Sequence, residues 1–293
     1  MLKQKGQGVK KGALLGIATA LAIVGATAVY LHSHTVAVMS PSGIVAEKER
    51  HLIIIALLLS AIVVLPVYVL TILIALTYRE TNKKSKKYRP EWDHSWLLET
   101  VWWAIPITII GILSVITWQS SHALDPYQPL SSSVKPVDVQ VIALDWKWLF
   151  IYPAQHIASV NMLELPVNTP INFSITSDSV MNSFWIPSLG SQIYAMPGMS
   201  SQLHLMANKT GNFTGSPANI SGKGFADMLF TTKAVNQQAF NSWTDSVKHG
   251  SRYLDLTAYH NLAKPGTISA PQYYSNVEGG LYNYTVMQYM GDM

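Results

Sequence analysis

Residues 52–78 read LIIIALLLSAIVVLPVYVLTILIALTY, 27 positions without one charged side chain. About 20 consecutive apolar residues suffice to cross roughly 30 Å of hydrocarbon as a helix, so this run predicts a membrane span. A second uncharged run, Thr100 to Trp118, predicts another. Pro66 and Pro106 lie inside the two runs, which is tolerated where neighbouring helices repair the interrupted backbone pairing. Trp92, Trp96, Trp102, Trp103 and Trp118 gather toward the ends of the second run, as an interfacial belt does.

The connection between the runs sets their direction. Arg79, Lys83, Lys84, Lys86, Lys87 and Arg89 crowd one short loop, and basic loops stay on the cytoplasmic side. The expected hairpin covers 39–121, with spans at about 52–78 and 98–119 and a cytoplasmic loop at 79–96. Everything after it then lies outside the cytoplasm. Residues 1–38 admit two readings. Lys3, Lys5, Lys10 and Lys11 precede the apolar stretch Gly12 to Leu31, which suits a signal peptide cleaved near Ala26, Ala28 or Ala37, or an extra N-terminal helix. Either leaves the topology unchanged.

Composition agrees with a membrane protein. Charged residues make up 12% and hydrophobic ones 49% of the 293 residues, and mean hydropathy is positive. Basic residues concentrate before His122, whereas the rest carries ten acids against eight bases. The basicity therefore flanks a membrane and builds no nucleic-acid face. With no cysteine, disulfides, thiolate metal sites and thiol nucleophiles are excluded.

From Val137 the periodicity changes to two. Val137, Val139 and Val141 alternate with Asp138, Gln140 and Ile142, and short strand-like runs follow at 146–152, 171–176, 183–186 and 202–206. Pro, Gly, Asn and Ser punctuate them, which predicts a β-sandwich or barrel. Beyond Thr232 the pattern turns helical over 235–248 and 253–262, and a Tyr-rich tail follows.

Three motifs in fixed order narrow the class: His94-Ser-Trp-Leu-Leu-Glu-Thr-Val-Trp-Trp-Ala-Ile-Pro106, Asp145-Trp-Lys-Trp148, and the segment Asp178 to Met199 containing Ser191-Gln-Ile-Tyr194. Together they resemble subunit II of the haem–copper respiratory oxidases, most closely the bo-type ubiquinol oxidase branch, over roughly 42–240. The resemblance implies an α+β membrane protein. Behind the transmembrane hairpin would stand a cupredoxin-like β-sandwich at 122–233, outside the cytoplasm, followed by a C-terminal helical extension at 234–293.

In the cytochrome c-oxidising members that sandwich holds a binuclear copper centre, bound by two His, two Cys, one Met and a Glu carbonyl. Here Asn182 stands at the first His position, Pro217 and Ser221 at the Cys positions and Asn219 at the Glu position. Phe225 stands at the second His, and Met228 alone remains. Soft, redox-active copper needs thiolate or imidazole, so the binuclear site is expected to be absent and no metal is assigned to this chain. Met228 reads as a core thioether, and Asn182 as hydrogen-bonded within the loops.

The implied function is subunit II of a proton-pumping quinol oxidase that passes electrons from ubiquinol to oxygen. Its partners would be a large catalytic subunit carrying two haems and one copper, smaller membrane subunits and the bilayer of a bacterial inner membrane, with no cytochrome c and no nucleic acid. Glu99 has two readings: the entrance of a proton path into the large subunit, or a carboxylate favoured by the helix N-terminus. Trp146 and Trp148 are expected to pack between the β domain and its membrane partner, and Trp102 and Trp103 are further interface candidates. The nine histidines show no zinc-ligand spacing. Two other readings remain open: a membrane-anchored cupredoxin-like binding module outside an oxidase, and a copper-bearing cytochrome c oxidase subunit.

Overall fold

The computed structural model describes residues 22, 25–27, 29–30, 36–78, 91 and 93–291. Most of residues 1–35, the basic loop 79–90, Trp92, His32 and His34 fall outside them. Two long helices are present, α1 (Ile44–Thr77) and α2 (Trp96–Ala123). Each is long and apolar enough to cross a membrane, and most of their large apolar side chains are exposed along the spans. At 1.5 Å per residue, 34 residues make α1 about 50 Å long, more than the hydrocarbon needs.

The surplus belongs to the β domain. Residues 37–50 and 122–293 form one compact unit, and 51–121 belong to the other. The unit that holds the strands thus starts before the expected boundary at 122. Gly43 bridges to Ala207, Ala46 N donates to Leu189 O, and Val45 and Ala46 are buried. Gly43 is required there, because a Cβ would stand 2.5 Å from the Leu189 carbonyl oxygen.

The domain contains strands β1 (Val137–Leu144), β2 (Lys147–Tyr152), β3 (Ile157–Val160), β4 (Met162–Pro166), β5 (Ile171–Ser177), β6 (Asn182–Ile186), β7 (Gly190–Ala195), β8 (Ser201–Leu205), β9 (Gly211–Pro217) and β10 (Phe230–Val235). Then come α3 (Gln237–Lys248), β11 (Tyr253–Leu254), α4 (Leu256–Ala263), β12 (Gln272–Tyr274), β13 (Asn276–Val277) and α5 (Leu281–Met287). A six-stranded sheet in the order β12-β3-β2-β1-β5-β8 faces a five-stranded one, β4-β10-β9-β6-β7. Only β1–β5 and β4–β10 within these sheets pair in parallel.

Strand parity assigns two cores. Val139, Val141, Trp148, Phe150 and Tyr152 point between the sheets and meet Phe173, Phe184 and Phe230. Ile142, Leu144, Leu149 and Ile151 point the other way, onto Leu254, Tyr259, Leu262, Tyr274, Leu281 and Val286. The sequence of β2 is therefore apolar almost throughout because both its faces are covered. The C-terminal segment is more than a helical extension: β12 pairs with β3 and closes one edge of the sheet.

Candidate functional site

The residues that the resemblance sets at copper-ligand positions lie at the start of β6, at the end of β9 and in the stretch 219–228. Asn182 opens β6, and its amide nitrogen donates to Val180 O at 3.0 Å. Next to it, Ser183 Oγ donates to Asn219 Oδ1 at 2.7 Å, and Asn219 Nδ2 donates to Met181 O at 2.8 Å. Pro217 ends β9 opposite Phe184. Ser221 Oγ approaches the Met228 sulfur at 3.9 Å, and Met228 is fully buried, as a core thioether should be. Phe225 opens a short 3-10 turn, Phe225–Asp227. The polar atoms here are amide, hydroxyl and thioether. They do not fit a binuclear copper centre, which needs thiolate and imidazole. Asn219 ties its own stretch to residues 181 and 183 by these two hydrogen bonds.

Trp146 holds the second loop from outside. It occupies the left-handed region, φ 63°, uncommon for so bulky a residue. Its indole lies over Gly222 and Gly224, and Nε1 donates to Ser221 O at 3.3 Å. A Cβ on Gly224 would fall 2.4 Å from the ring. Trp148 differs from the expectation. It has no exposed surface, meets Phe184 and Phe230 edge-on, and donates through Nε1 to Met228 O. Strand alternation turns it into the core, so it cannot face a neighbouring subunit. Trp102 and Trp103 are exposed at 68% and 64%.

Glu99 lies in the first turn of α2. Its Oε1 is 2.6 Å from His94 Nδ1 and accepts a hydrogen bond from Ser95 N. The carboxylate thus satisfies a backbone donor at a helix start, the local role that the macrodipole favours.

Three polar groups escaped the sequence reading. Asp178, just beyond β5, accepts from Tyr259 OH at 2.6 Å, from Tyr289 OH at 2.9 Å and from the Gln288 amide. It fastens the Tyr-rich tail beside the Asn182 loop. Burial, followed by the Asp178 carboxylate, raises the Tyr259 hydroxyl above its ordinary pKa. Lys147 is buried, and its ammonium donates to the carbonyls of Asp145, Lys264 and Gly266 at 2.8–3.2 Å. Burial lowers its pKa, partly offset by Asp145. Third, Asp138, Asn172 and His204 are direct neighbours on β1, β5 and β8. Asn172 Nδ2 donates to Asp138 Oδ1, and Asn172 Oδ1 faces His204 Nδ1, both at 2.9 Å. The amide orientation places the proton on Nδ1, leaving Nε2 as a lone-pair acceptor. Only strand register reveals this row, and periodicity in one strand cannot supply it.

Comparison with known proteins agrees with this geometry. The family model for the cytochrome c oxidase subunit II periplasmic domain matches residues 138–235, and the oxidase aromatic-rich motif matches 248–293. The chain is 49% identical to cytochrome bo(3) ubiquinol oxidase subunit 2 of Pseudomonas aeruginosa, covering 90% of this chain and 80% of that one. It is 50% identical to ubiquinol oxidase subunit 2 of Acetobacter aceti over 87% and 83%. Against quinol oxidase subunit 2 of Bacillus cereus the identity is 36% over 79% and 80%. With this likeness over most of its length, a chain that joins two long apolar helices to a β-sandwich and an aromatic tail belongs to the quinol oxidase branch of the subunit II family of haem–copper oxidases.

Proposed function

We propose that the chain is the accessory, copper-free subunit of a proton-pumping ubiquinol oxidase in a bacterial inner membrane, with its β domain on the periplasmic side. The carrying observation is the donor set at the former copper positions. Asn182, Asn219 and Ser221 supply amides and a hydroxyl, and Asn219 is hydrogen-bonded across the loop rather than open to a ligand. Electron entry then bypasses this chain. Quinol, two haems and one copper are handled by the large subunit, which this chain caps and steadies beside smaller membrane subunits. The names of its relatives support ubiquinol as the substrate. The exposed rings of Trp102 and Trp103 suit packing against neighbouring helices.

Glu99 is assigned the proton-path entrance on the cytoplasmic side, a task compatible with its hydrogen bond to Ser95 because a carboxylate has acceptor sites to spare. The test is a mild detergent extraction with a tag on this chain, followed by a reduced-minus-oxidised haem spectrum and a copper-to-haem ratio. Two haems and one copper should accompany the chain. Recovery of the chain without haem overturns the oxidase role, and two further coppers overturn the copper-free assignment. For Glu99, turnover and proton uptake in Glu99→Ala should both fall; unchanged values leave the residue a helix cap.

A further inference from the structure

A cavity of about 290 Å³ lies within the β-domain unit, walled by the first turns of α1, the chain 122–131 that leaves α2, and strands β7 and β8. Val45, Leu130 and Met206 are among its apolar lining, and Lys48, His122, Asp125, Gln128, Ser191 and His204 among its polar lining. The Ser191 hydroxyl is turned to Glu49. His204 is only 8% exposed, and its Nε2 is buried with no hydrogen-bond partner among the described residues. The Asp138–Asn172 row holds the Nδ1 proton, so this atom can only accept. Buried acceptors are nearly always satisfied, and since the His204 ring lines the cavity, an O–H or N–H donor entering there and reaching Nε2 would satisfy it. Lys48 is exposed and adds a cation.

Position narrows the ligand. Lys48 comes four residues before the uncharged run, and 122–131 follows directly on the second span. If both helices cross a bilayer, the cavity opens where they leave the hydrocarbon, at headgroup depth. We propose that it holds the head of a glycerophospholipid bearing both a phosphate and an ethanolamine or glycerol donor. The phosphate faces Lys48, the donor sits on His204 Nε2, and the apolar wall receives the start of the acyl chains. Burial lowers the His204 pKa against the pull of Asp138, which keeps the lone pair available. The proposal rests on the membrane-spanning reading of the helices and not on the oxidase assignment.

The test uses the full chain in its native complex, stripped of lipid in detergent and titrated with phosphatidylethanolamine, phosphatidylglycerol or phosphatidylcholine under native mass spectrometry. Phosphatidylcholine carries the phosphate and lacks the donor. The first two should bind about tenfold more tightly than the third, one hydrogen bond's worth. His204→Phe should abolish that preference while phosphatidylcholine binding stays the same. Lys48→Gln, at an exposed position that leaves folding intact, should weaken all three lipids alike and keep the preference. If His204→Phe fails to assemble, the lipid comparison and the Lys48→Gln arm decide alone. Equal binding of the three lipids overturns the proposal, as does a preference that survives His204→Phe or a Lys48→Gln protein that binds normally. Deacylated glycerophosphoethanolamine should compete poorly; competition at the lipid's own concentration would make the occupant a soluble phosphodiester and sink the lipid assignment.

Discussion

Replacing Asp178 with alanine tests what keeps the aromatic tail on the sandwich. The carboxylate serves three donors, of which Tyr259 is fully buried while Gln288 and Tyr289 are exposed. A hydrogen bond to a charged group contributes about 1.5–3 kcal/mol when buried. The two exposed donors regain water, so they add only about 0.5 kcal/mol each. Thr285 donates to the Tyr259 oxygen, which leaves the Tyr259 proton without an acceptor in the variant. The sum is about 2.5–4 kcal/mol of local stability. At tenfold per 1.4 kcal/mol, amide hydrogens of α5 should exchange roughly 60- to 700-fold faster through local opening. Strands β9 and β10, which pair with each other away from the tail, serve as the control. A change in α5 below threefold would refute the clamp, and equal acceleration in β9 and β10 would show a global loss instead.

Tyr282 and Tyr289 have hydroxyls pushed up to about 12, and Tyr259 is also raised, in each case chiefly by burial. Groups held neutral in this way stabilise the fold fully below the ordinary tyrosine value of about 10. That contribution disappears as pH climbs from about 10 toward 12, so the thermal stability of the domain should fall there and stay flat from pH 7 to 9; a flat stability profile to pH 12 would contradict the assignment. Gly224→Ala forces a methyl to 2.4 Å from the Trp146 ring, at a cost of about 1–3 kcal/mol; a lowered melting temperature with altered Trp fluorescence is expected, and wild-type values for both would show that the loop yields. Trp148→Phe keeps most of the ring packing and deletes the bond to Met228 O, so it should destabilise by about 1–2 kcal/mol, against about 3–5 kcal/mol for Trp148→Ala. Equal losses in the two Trp148 variants would mean that packing contributes little. Lys147→Met removes the shared donor of three carbonyls and should loosen the 264–268 loop, seen as faster exchange there; unchanged exchange would argue that water replaces the ammonium.

Much of the architecture was legible because its signals are local. Uncharged runs marked both long helices, and period two marked β1, β5 and β8 close to their observed limits. Strands β3, β4 and β10 were harder: Ile157–Val160 and Met162–Pro166 are short and buried on both faces, so they do not alternate. The motif order gave the family, and with it the positions of Asn182, Asn219 and Ser221. The orientation of Trp148 needed strand parity relative to a second sheet. The Asp178 clamp and the Asp138–Asn172–His204 row join residues 32 to 111 positions apart, and no spacing rule in the sequence announces them.

The C-terminal segment has a consequence for how the domain is made. Leu149 and Ile151 emerge during synthesis about a hundred residues before Leu254, Tyr259 and Leu281, the side chains that cover them. Until those arrive, one side of the central sheet is a bare apolar surface with an open edge at β3, the kind of surface that invites adhesion to other chains. Translation that stalls after β10 therefore yields a product with both sheets formed and one side unsealed, a form that chaperones and proteases can tell from the finished domain by touch alone.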